Sequence, residues 1–272
     1  KSADLGCDGV ELDVFLLKCG TLIVFHGDGG DVNPGGLRKY CGIEGSILDY
    51  SYEDAKKFSF ESDGEVYTCP SSRLKKATIP TLEEVLIEAK QSGIIVKIEL
   101  KGPGTEEPSL ELVERLDMVE QCHFASFKHE RVERIRRLRP QRNRDGTFKY
   151  KTACLFPAKV PEDFIEIAKR CDVDEVHLRY DKCTKERVQI IHEAGMGSMA
   201  WFRGPIDMQK DAAKRFDDVG DEDAAMYQTV LNSGVQAICV NKPDVLIDYL
   251  KKRDSPRKRI KASQARHFAR RF

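Results

Sequence analysis

The sequence lacks long apolar runs, paired cysteines and an excess of either charge, and each absence excludes a class of protein. No apolar run reaches the ~18 residues that a membrane-spanning helix needs, so no transmembrane segment is predicted. The nine cysteines are scattered singly without a Cys-x-x-Cys pair, which excludes the usual spacing of zinc ligands. Lys and Arg together number 45, as do Asp and Glu, so the overall charge predicts neither nucleic-acid nor membrane binding.

Composition and length favour one globular α/β domain. Hydrophobic residues form 40% and charged residues 33% of the 272 residues, a balance typical of globular proteins. The first residue is Lys1 rather than Met, and residues 3–6 read as the end of a helix, so we expect a truncated product. The odd number of cysteines leaves at least one thiol without an intramolecular disulfide partner, and the residues do not indicate a compartment.

Short apolar runs alternate with amphipathic segments from residue 94 onward. Six strands, each followed by a helical pattern, are predicted at residues 94–100, 122–127, 152–156, 175–178, 198–202 and 237–241. A further strand at 10–16 is followed closely by 21–25, which reads as a hairpin-like extension. Seven barrel strands with seven following helices predict a (β/α)8 TIM barrel that lacks its first strand.

Two segments are predicted to stand apart from the barrel, which spans residues 1–250. A small loop-rich insertion subdomain occupies 27–78 after the second strand, and Thr81 with Glu84 then forms a capping box that begins a helix. Residues 251–272 form a basic C-terminal tail, with ten Lys or Arg against the single acid Asp254. We interpret this tail as a solvated extension. Contact with an anionic surface is the alternative, and no nucleic-acid partner is expected.

Carboxylates interrupt two apolar strands near their carboxyl ends. Glu11 and Asp13 alternate with apolar residues, so both side chains point to the same side of their strand, and Glu99 ends another strand in the same way. The carboxyl ends of barrel strands meet at one face, and a buried carboxylate must be paired or bound to a metal. Three acids without a cysteine therefore predict a hard-oxygen site for Mg2+ or Ca2+, with salt bridges to Lys or Arg as the alternative.

Three further side chains at strand ends are candidates for substrate chemistry. Lys101 faces the same way as Glu99, so its ammonium suits a phosphate substrate, and an ion pair with Glu99 is the alternative. His26 follows an apolar strand and precedes a Gly-rich loop, which favours an accessible imidazole for acid–base catalysis. Trp201 closes a strand and belongs either to the core or to a substrate pocket. The other histidines considered are interpreted as structural or surface groups: His123, His129, His177 and His192.

Several motifs resemble the signature of glycerophosphodiester phosphodiesterases, in that family's order and spacing, over residues 3–250. The most specific is Gly-Cys-Asp-Gly-Val-Glu-Leu-Asp-Val at 6–14, followed by Val-Phe-His at 24–26. Residues 79–85 and 98–101 are similar to two later motifs of the family. Weaker similarities lie at 125–127, 234–238 and 241–244.

The resemblance implies a barrel with a small insertion and the activity of a metal-dependent phosphoric diester hydrolase. The implied reaction cleaves a small-molecule glycerophosphodiester to glycerol 3-phosphate and an alcohol, as part of lipid metabolism. The implied roles are a divalent cation held by Glu11, Asp13 and Glu99, acid–base catalysis by His26, and Lys101 near the phosphate.

The sequence departs from the family pattern in three places. The family's first strand ends in a His-Arg pair that supplies a second imidazole and a phosphate-binding Arg, and neither has a counterpart after Lys1. Gly27 follows His26 where Asp is common, and residues 201–204 read Trp-Phe-Arg-Gly instead of Trp-Thr-Val-Asn. Two alternatives are retained: a sphingomyelinase D-like phospholipase on the same barrel, and a non-catalytic remnant that binds a metal or phosphate ligand.

Overall fold

A computed structural model of the chain describes residues 2–27, 35–58, 61–62, 65–66, 78–202 and 222–254. Within these residues the strands are β1 (Gly9–Leu16), β2 (Leu22–Val24), β3 (Glu61–Ser62), β4 (Glu65–Val66), β5 (Ile95–Leu100), β6 (Cys122–Ser126), β7 (Lys151–Phe156), β8 (Glu175–Arg179), β9 (Gly197–Trp201) and β10 (Ala237–Cys239). The α-helices are α1 (Ser2–Leu5), α2 (Arg38–Cys41), α3 (Tyr52–Ala55), α4 (Leu82–Ser92), α5 (Glu106–Arg115), α6 (His129–Leu138), α7 (Phe164–Arg170), α8 (Lys185–Glu193), α9 (Ala224–Ser233) and α10 (Pro243–Asp254). Short 3-10 helices lie at Ile47–Asp49 and Tyr180–Lys182.

The main sheet is a curled barrel wall of eight strands in the order β10-β9-β8-β7-β6-β5-β1-β2. Every pair from β10 to β1 is parallel, and β2 joins β1 in an antiparallel hairpin, as the sequence predicted. Within the described ranges β10 and β1 do not pair, so the wall stays open at the place of one barrel strand. The predicted TIM-barrel fold is therefore confirmed, whereas the lack of a first strand stays a prediction with which the open place in the wall agrees.

Each parallel strand turns one face to the helices and the other to the concave side of the sheet. On β5, Val96 and Ile98 are fully buried and belong to the same core as Leu86 of α4. Burial of one such side chain stabilises the fold by about 1.5–3 kcal/mol. Lys97 and Glu99 alternate with these residues and so face the concave side. The strand pattern thus separates core packing from the polar face.

Helix α4 begins with the capping box that the sequence predicted. The Glu84 backbone N–H donates to Thr81 Oγ1 at 3.1 Å, and the Thr81 backbone N–H donates to the Glu84 carboxylate at 2.8 Å. The helix ends at Gly93, which has a φ of 66°, a left-handed conformation that favours glycine. A cap of this kind is worth about 1 kcal/mol, and it fixes where α4 packs on β5.

The insertion packs against the β1–β2 hairpin. Leu37 and Ile47 of the insertion share a fully buried cluster with Phe15 and Ile23 of the hairpin. The shared cluster therefore holds residues 37–47 against the β1–β2 hairpin. Residues 28–34, 59–60, 63–64 and 67–77 of the predicted 27–78 subdomain lie outside the described residues, and its boundaries stay a prediction.

Helix α10 contacts α1 and α9 at the C-terminal end of the described chain. It ends at Asp254, so residues 251–254 of the predicted basic tail are helical, whereas 255–272 lie outside the described residues. Among the helices of the described ranges, none combines the length and the apolar character that crossing a bilayer demands.

Candidate active site

An acidic cluster of Glu11, Asp13 and Glu99 lies on the concave face of β1 and β5. Asp13 and Glu99 are register partners on these parallel neighbours, and Glu11 precedes Asp13 by one alternation of the strand. One carboxylate oxygen from each residue lies within 4.8 Å of the other two. Asp13 and Glu99 are each 8% exposed, whereas Glu11 keeps surface open to solvent. The structure thus brings together the three acids singled out in the sequence.

The acidic cluster is short of positive charge. Burial, and next the neighbouring Asp13 carboxylate, raise the pKa of Glu99 to about 8. Solvent reaches part of the Glu11 side chain, but desolvation by surrounding protein atoms raises the pKa of Glu11 well above its ordinary value, and Asp13 and Glu99 add to the effect. Protons or an added cation relieve this repulsion. Three carboxylates without a sulfur donor fit a hard divalent cation.

Lys101 lies beside the acidic cluster, where its ammonium is 3.1 Å from Asp13 Oδ1. The sequence left open an ion pair with Glu99, and the direct contact is with Asp13 instead. Lys101 also acts on Glu99 at longer range, because its positive charge opposes the rise in the pKa of that carboxyl group. One ammonium therefore offsets part of the negative charge of the acidic cluster.

His26 follows β2 at the rim of the concave face. The backbone N–H of Phe25 donates to the Asp13 carbonyl at 3.0 Å, which fixes the start of the loop next to the acidic cluster. The His26 ring is exposed, and its Nδ1 lies 2.7 Å from the Gly27 carbonyl. A carbonyl only accepts hydrogen bonds, so Nδ1 carries the proton and Nε2 is the basic nitrogen of the neutral ring. This arrangement suits proton transfer at Nε2.

The glycine after His26 is required by the backbone. Gly27 has a φ of 68°, and a Cβ there would lie 2.7 Å from the Cα of Gly35. An aspartate, which is common at this position in the family, would collide with the other end of the loop. The departure noted in the sequence is thus explained by the close approach of Gly27 and Gly35.

Trp201 ends β9 on the concave face, in register with Arg179 of β8 and Cys239 of β10. Its ring meets Phe127 edge to face, with 5.6 Å between centroids. Phe127 is 37% exposed, so the pair forms part of an accessible wall. The Trp201 Nε1 is buried without a hydrogen-bond partner among the described residues. The following Arg203 and Gly204, which depart from the family pattern, lie outside the described residues.

A second polar group, the floor network, lies on the same face towards the amino ends of the strands. Its members are Lys97, His123, Glu175 and His177, and the sequence alone indicated only structural or surface roles for both histidines. His177 Nε2 donates to Glu175 Oε2 at 2.7 Å, and His123 Nδ1 lies 3.1 Å from Glu175 Oε1. Lys97 forms an ion pair with Glu175. Alternation along β5 and β8 was the one signal that could have placed these groups on the concave face.

Fold and site together define an open parallel α/β barrel with an acidic cluster near the carboxyl ends of its first two parallel strands. The chain belongs to the glycerophosphoryl diester phosphodiesterase family, whose family model matches residues 1–245. The family predicted from the sequence motifs is thereby confirmed, as is the enzyme class, a phosphoric diester hydrolase.

Individual relatives agree with this assignment. A glycerophosphodiester phosphodiesterase of Caldanaerobacter subterraneus subsp. tengcongensis is 24% identical over 257 residues, which cover 93% of this chain and 89% of the relative. One from Bacillus altitudinis is 32% identical over 141 residues, or 50% of this chain and 52% of the relative.

Solved structures share the fold. A candidate glycerophosphodiester phosphodiesterase from Galdieria sulphuraria aligns with a TM-score of 0.71 at 26% identity, covering 92% of this chain and 88% of that one. A phosphodiesterase of Oleispira antarctica, in complex with the product sn-glycerol-3-phosphate, aligns with a TM-score of 0.64 at 19% identity. That alignment covers 92% of this chain and 87% of the Oleispira protein. At this identity the second comparison supports the fold alone.

Proposed function

We propose that this protein hydrolyses glycerophosphodiesters to glycerol 3-phosphate and an alcohol, with a divalent cation, Mg2+ or Ca2+, bound by Glu11, Asp13 and Glu99. The observation that carries the proposal is the convergence of three carboxylate oxygens within 4.8 Å in a member of this family. The Caldanaerobacter relative, a glycerophosphodiester phosphodiesterase that aligns over 93% of this chain, supports the same reaction class. The expected setting is lipid metabolism.

The acidic cluster and Lys101 would stabilise negative charge on the phosphate in different ways. The cation, when bound, supplies Lewis-acid polarisation of the phosphoryl oxygens. The Lys101 ammonium lies 3.1 Å from Asp13 Oδ1, next to the acidic cluster. There it would neutralise negative charge that develops on the phosphate. Both contributions act on the transition state more than on the substrate, because the charge on the phosphoryl oxygens changes as the bond breaks.

His26 and Trp201 act on the parts of the substrate around the phosphate. The basic Nε2 of His26 accepts a proton from the attacking water, or returns one to the alcohol oxygen as its bond to phosphorus breaks. Trp201 and Phe127 offer an aromatic wall against which apolar parts of the substrate can pack. The acidic cluster that would hold the cation and the aromatic wall thus lie on the concave face, with His26 at its rim.

A product assay tests the proposal. The protein is incubated with glycerophosphocholine and Mg2+ or Ca2+, and glycerol 3-phosphate is measured with a coupled dehydrogenase, with EDTA as the control. Release of glycerol 3-phosphate that EDTA abolishes is the expected result. Cation binding without release of any product would instead support the non-catalytic alternative. Turnover of sphingomyelin or lysophosphatidylcholine but not glycerophosphocholine would support the sphingomyelinase D-like one.

A further inference from the structure

The register of β1 and β5 places Lys97 directly beside Glu11. The two residues are Cα partners on hydrogen-bonded parallel strands, which lie about 4.8 Å apart. Both side chains face the concave side, because each lies one alternation before a member of the acidic cluster. An ammonium and a carboxylate so placed would ordinarily pair with one another.

The Lys97 ammonium instead pairs with Glu175 and lies 3.3 Å from His123 Nδ1. Glu175 lies on β8, and β6 and β7 separate that strand from β5 in the sheet. The ion pair therefore spans the concave face instead of linking neighbouring strands.

Glu175 is itself held in place by contacts on both carboxylate oxygens. Oε1 lies 3.1 Å from His123 Nδ1, and Oε2 accepts from His177 Nε2 at 2.7 Å and contacts Lys97. His177 is 1% exposed, so its ring has little freedom to move. The floor network thus presents a fixed negative charge to Lys97.

The geometry points to Glu175 as a positioning residue that holds the Lys97 ammonium away from Glu11, so that the acidic cluster stays able to bind a divalent cation. This inference rests on the proposed function. Asp13 already has an ammonium partner in Lys101. A second ammonium, paired with Glu11, would occupy a ligand oxygen and oppose a cation at short range. Glu175 prevents this by offering Lys97 a better-enclosed partner.

The test is the cation affinity of a double-mutant cycle, measured by isothermal titration calorimetry with Ca2+ and with Mg2+. Glu175→Gln keeps the side-chain shape but removes the charge, and it should weaken cation binding about 10–100-fold, the range seen when groups that support metal ligands are lost. Lys97→Met combined with Glu175→Gln should restore affinity to within about twofold of the parent, because no ammonium remains to pair with Glu11. Lys97→Met alone should not weaken binding.

Glu114→Gln provides the matched control. Glu114 also has several partners, since it accepts from Arg139 and from the Tyr150 hydroxyl, but it contacts neither the acidic cluster nor the floor network. Its loss should lower the unfolding temperature and leave cation affinity unchanged. Thermal unfolding of every variant separates loss of fold from loss of affinity.

Each other outcome overturns the inference. Parent-like affinity in Glu175→Gln would show that Lys97 does not compete with the cation. An equally weak double variant would show that Glu175 supports the site by structure and not by holding Lys97. Absence of cation binding in the parent would overturn the inference and the proposed function together, whereas the first two results leave the proposed function intact.

Discussion

Asp13 and Glu99 face each other across β1 and β5 as register partners, and each carboxylate is almost entirely buried. Adjacent buried carboxylates destabilise one another unless a proton or a cation lies between them. Lys101 offsets one of the charges at 3.1 Å, but burial, and next the Asp13 carboxylate, still raise the pKa of Glu99 to about 8. The pair is therefore costly for folding and suited to binding a cation.

Replacing one carboxylate of the acidic cluster should abolish turnover without lowering the stability of the cation-free protein. Asp13→Ala or Glu11→Ala should abolish cation-dependent turnover while leaving the cation-free unfolding temperature equal to or above that of the parent, because repulsion is relieved. Ca2+ at about 100 times its Kd should stabilise the parent by about 2.7 kcal/mol and the variants not at all. Glu111→Gln, an exposed carboxylate on α5, is the control and should respond to Ca2+ like the parent. Unchanged kinetics in the Ala variants would exclude this cation site.

His26→Ala should remove the chemical step and spare the cation site. The ring is exposed and contacts a backbone carbonyl, so its loss should cost little stability. We expect kcat to fall by about 100- to 10,000-fold, the usual contribution of a general acid or base, with Ca2+ affinity within twofold of the parent. The control is His192→Ala, which removes a ring that is hydrogen-bonded to Ser198 Oγ on the outer face of the sheet and should leave kcat unchanged. If His26→Ala lowers only the unfolding temperature, its role is structural.

Trp201→Phe should impair substrate use without unfolding the protein. Phenylalanine retains an aromatic ring against Phe127. It lacks the indole N–H, but this group makes no hydrogen bond among the described residues, so no such bond is broken. The smaller ring presents less apolar surface to the substrate, so kcat/KM should fall by about tenfold, equal to roughly 1.4 kcal/mol of lost contact. Steady-state kinetics on glycerophosphocholine measure this change. A parent-like kcat/KM would assign Trp201 to wall packing alone.

The floor network should make the fold sensitive to acid. Burial lowers the pKa of His177 below its ordinary 6.5 and outweighs the hydrogen bond from Nε2 to Glu175, which acts in the opposite direction. A second proton on the buried Nδ1 would find no acceptor among the described residues. Burial alone would raise the pKa of Glu175, but hydrogen bonds from His123 and His177 outweigh it and hold that pKa well below its ordinary 4.5. In both groups the unfolded chain binds protons more readily than the folded one.

The sign of the pH dependence follows from those two depressed pKa values. The contribution of His177 is complete above pH 6.5 and decreases below it, and the contribution of Glu175 decreases below pH 4.5. The raised pKa values of Glu99 and Glu11 contribute the opposite trend when no cation is bound, because the folded chain holds those protons more readily than the unfolded one. Urea unfolding in the presence of EDTA between pH 7.5 and 4 is therefore compared for the parent and His177→Phe, in which the trend from Glu99 and Glu11 is shared. The free energy of unfolding of the parent should fall relative to that of His177→Phe as the pH decreases below 6.5. A parent that instead gains stability relative to His177→Phe in this range would contradict the buried neutral His177.

The sequence by itself determined the elements and which face of each strand is polar. Apolar runs placed β5, β7 and β9 within one residue of their observed starts, because strand periodicity is a property of chain neighbours. Alternation likewise put Glu11 and Asp13 on one side of β1. The motifs around them determined the family.

Only the tertiary structure decided which side chains meet. The register of β1 against β5 set Asp13 beside Glu99 and gave Lys101 its partner in Asp13. The curl of the sheet brought Lys97 to Glu175, 78 residues away along the chain. Such contacts depend on strand order, register and curvature, and these arise from packing of the whole sheet, which no local pattern encodes.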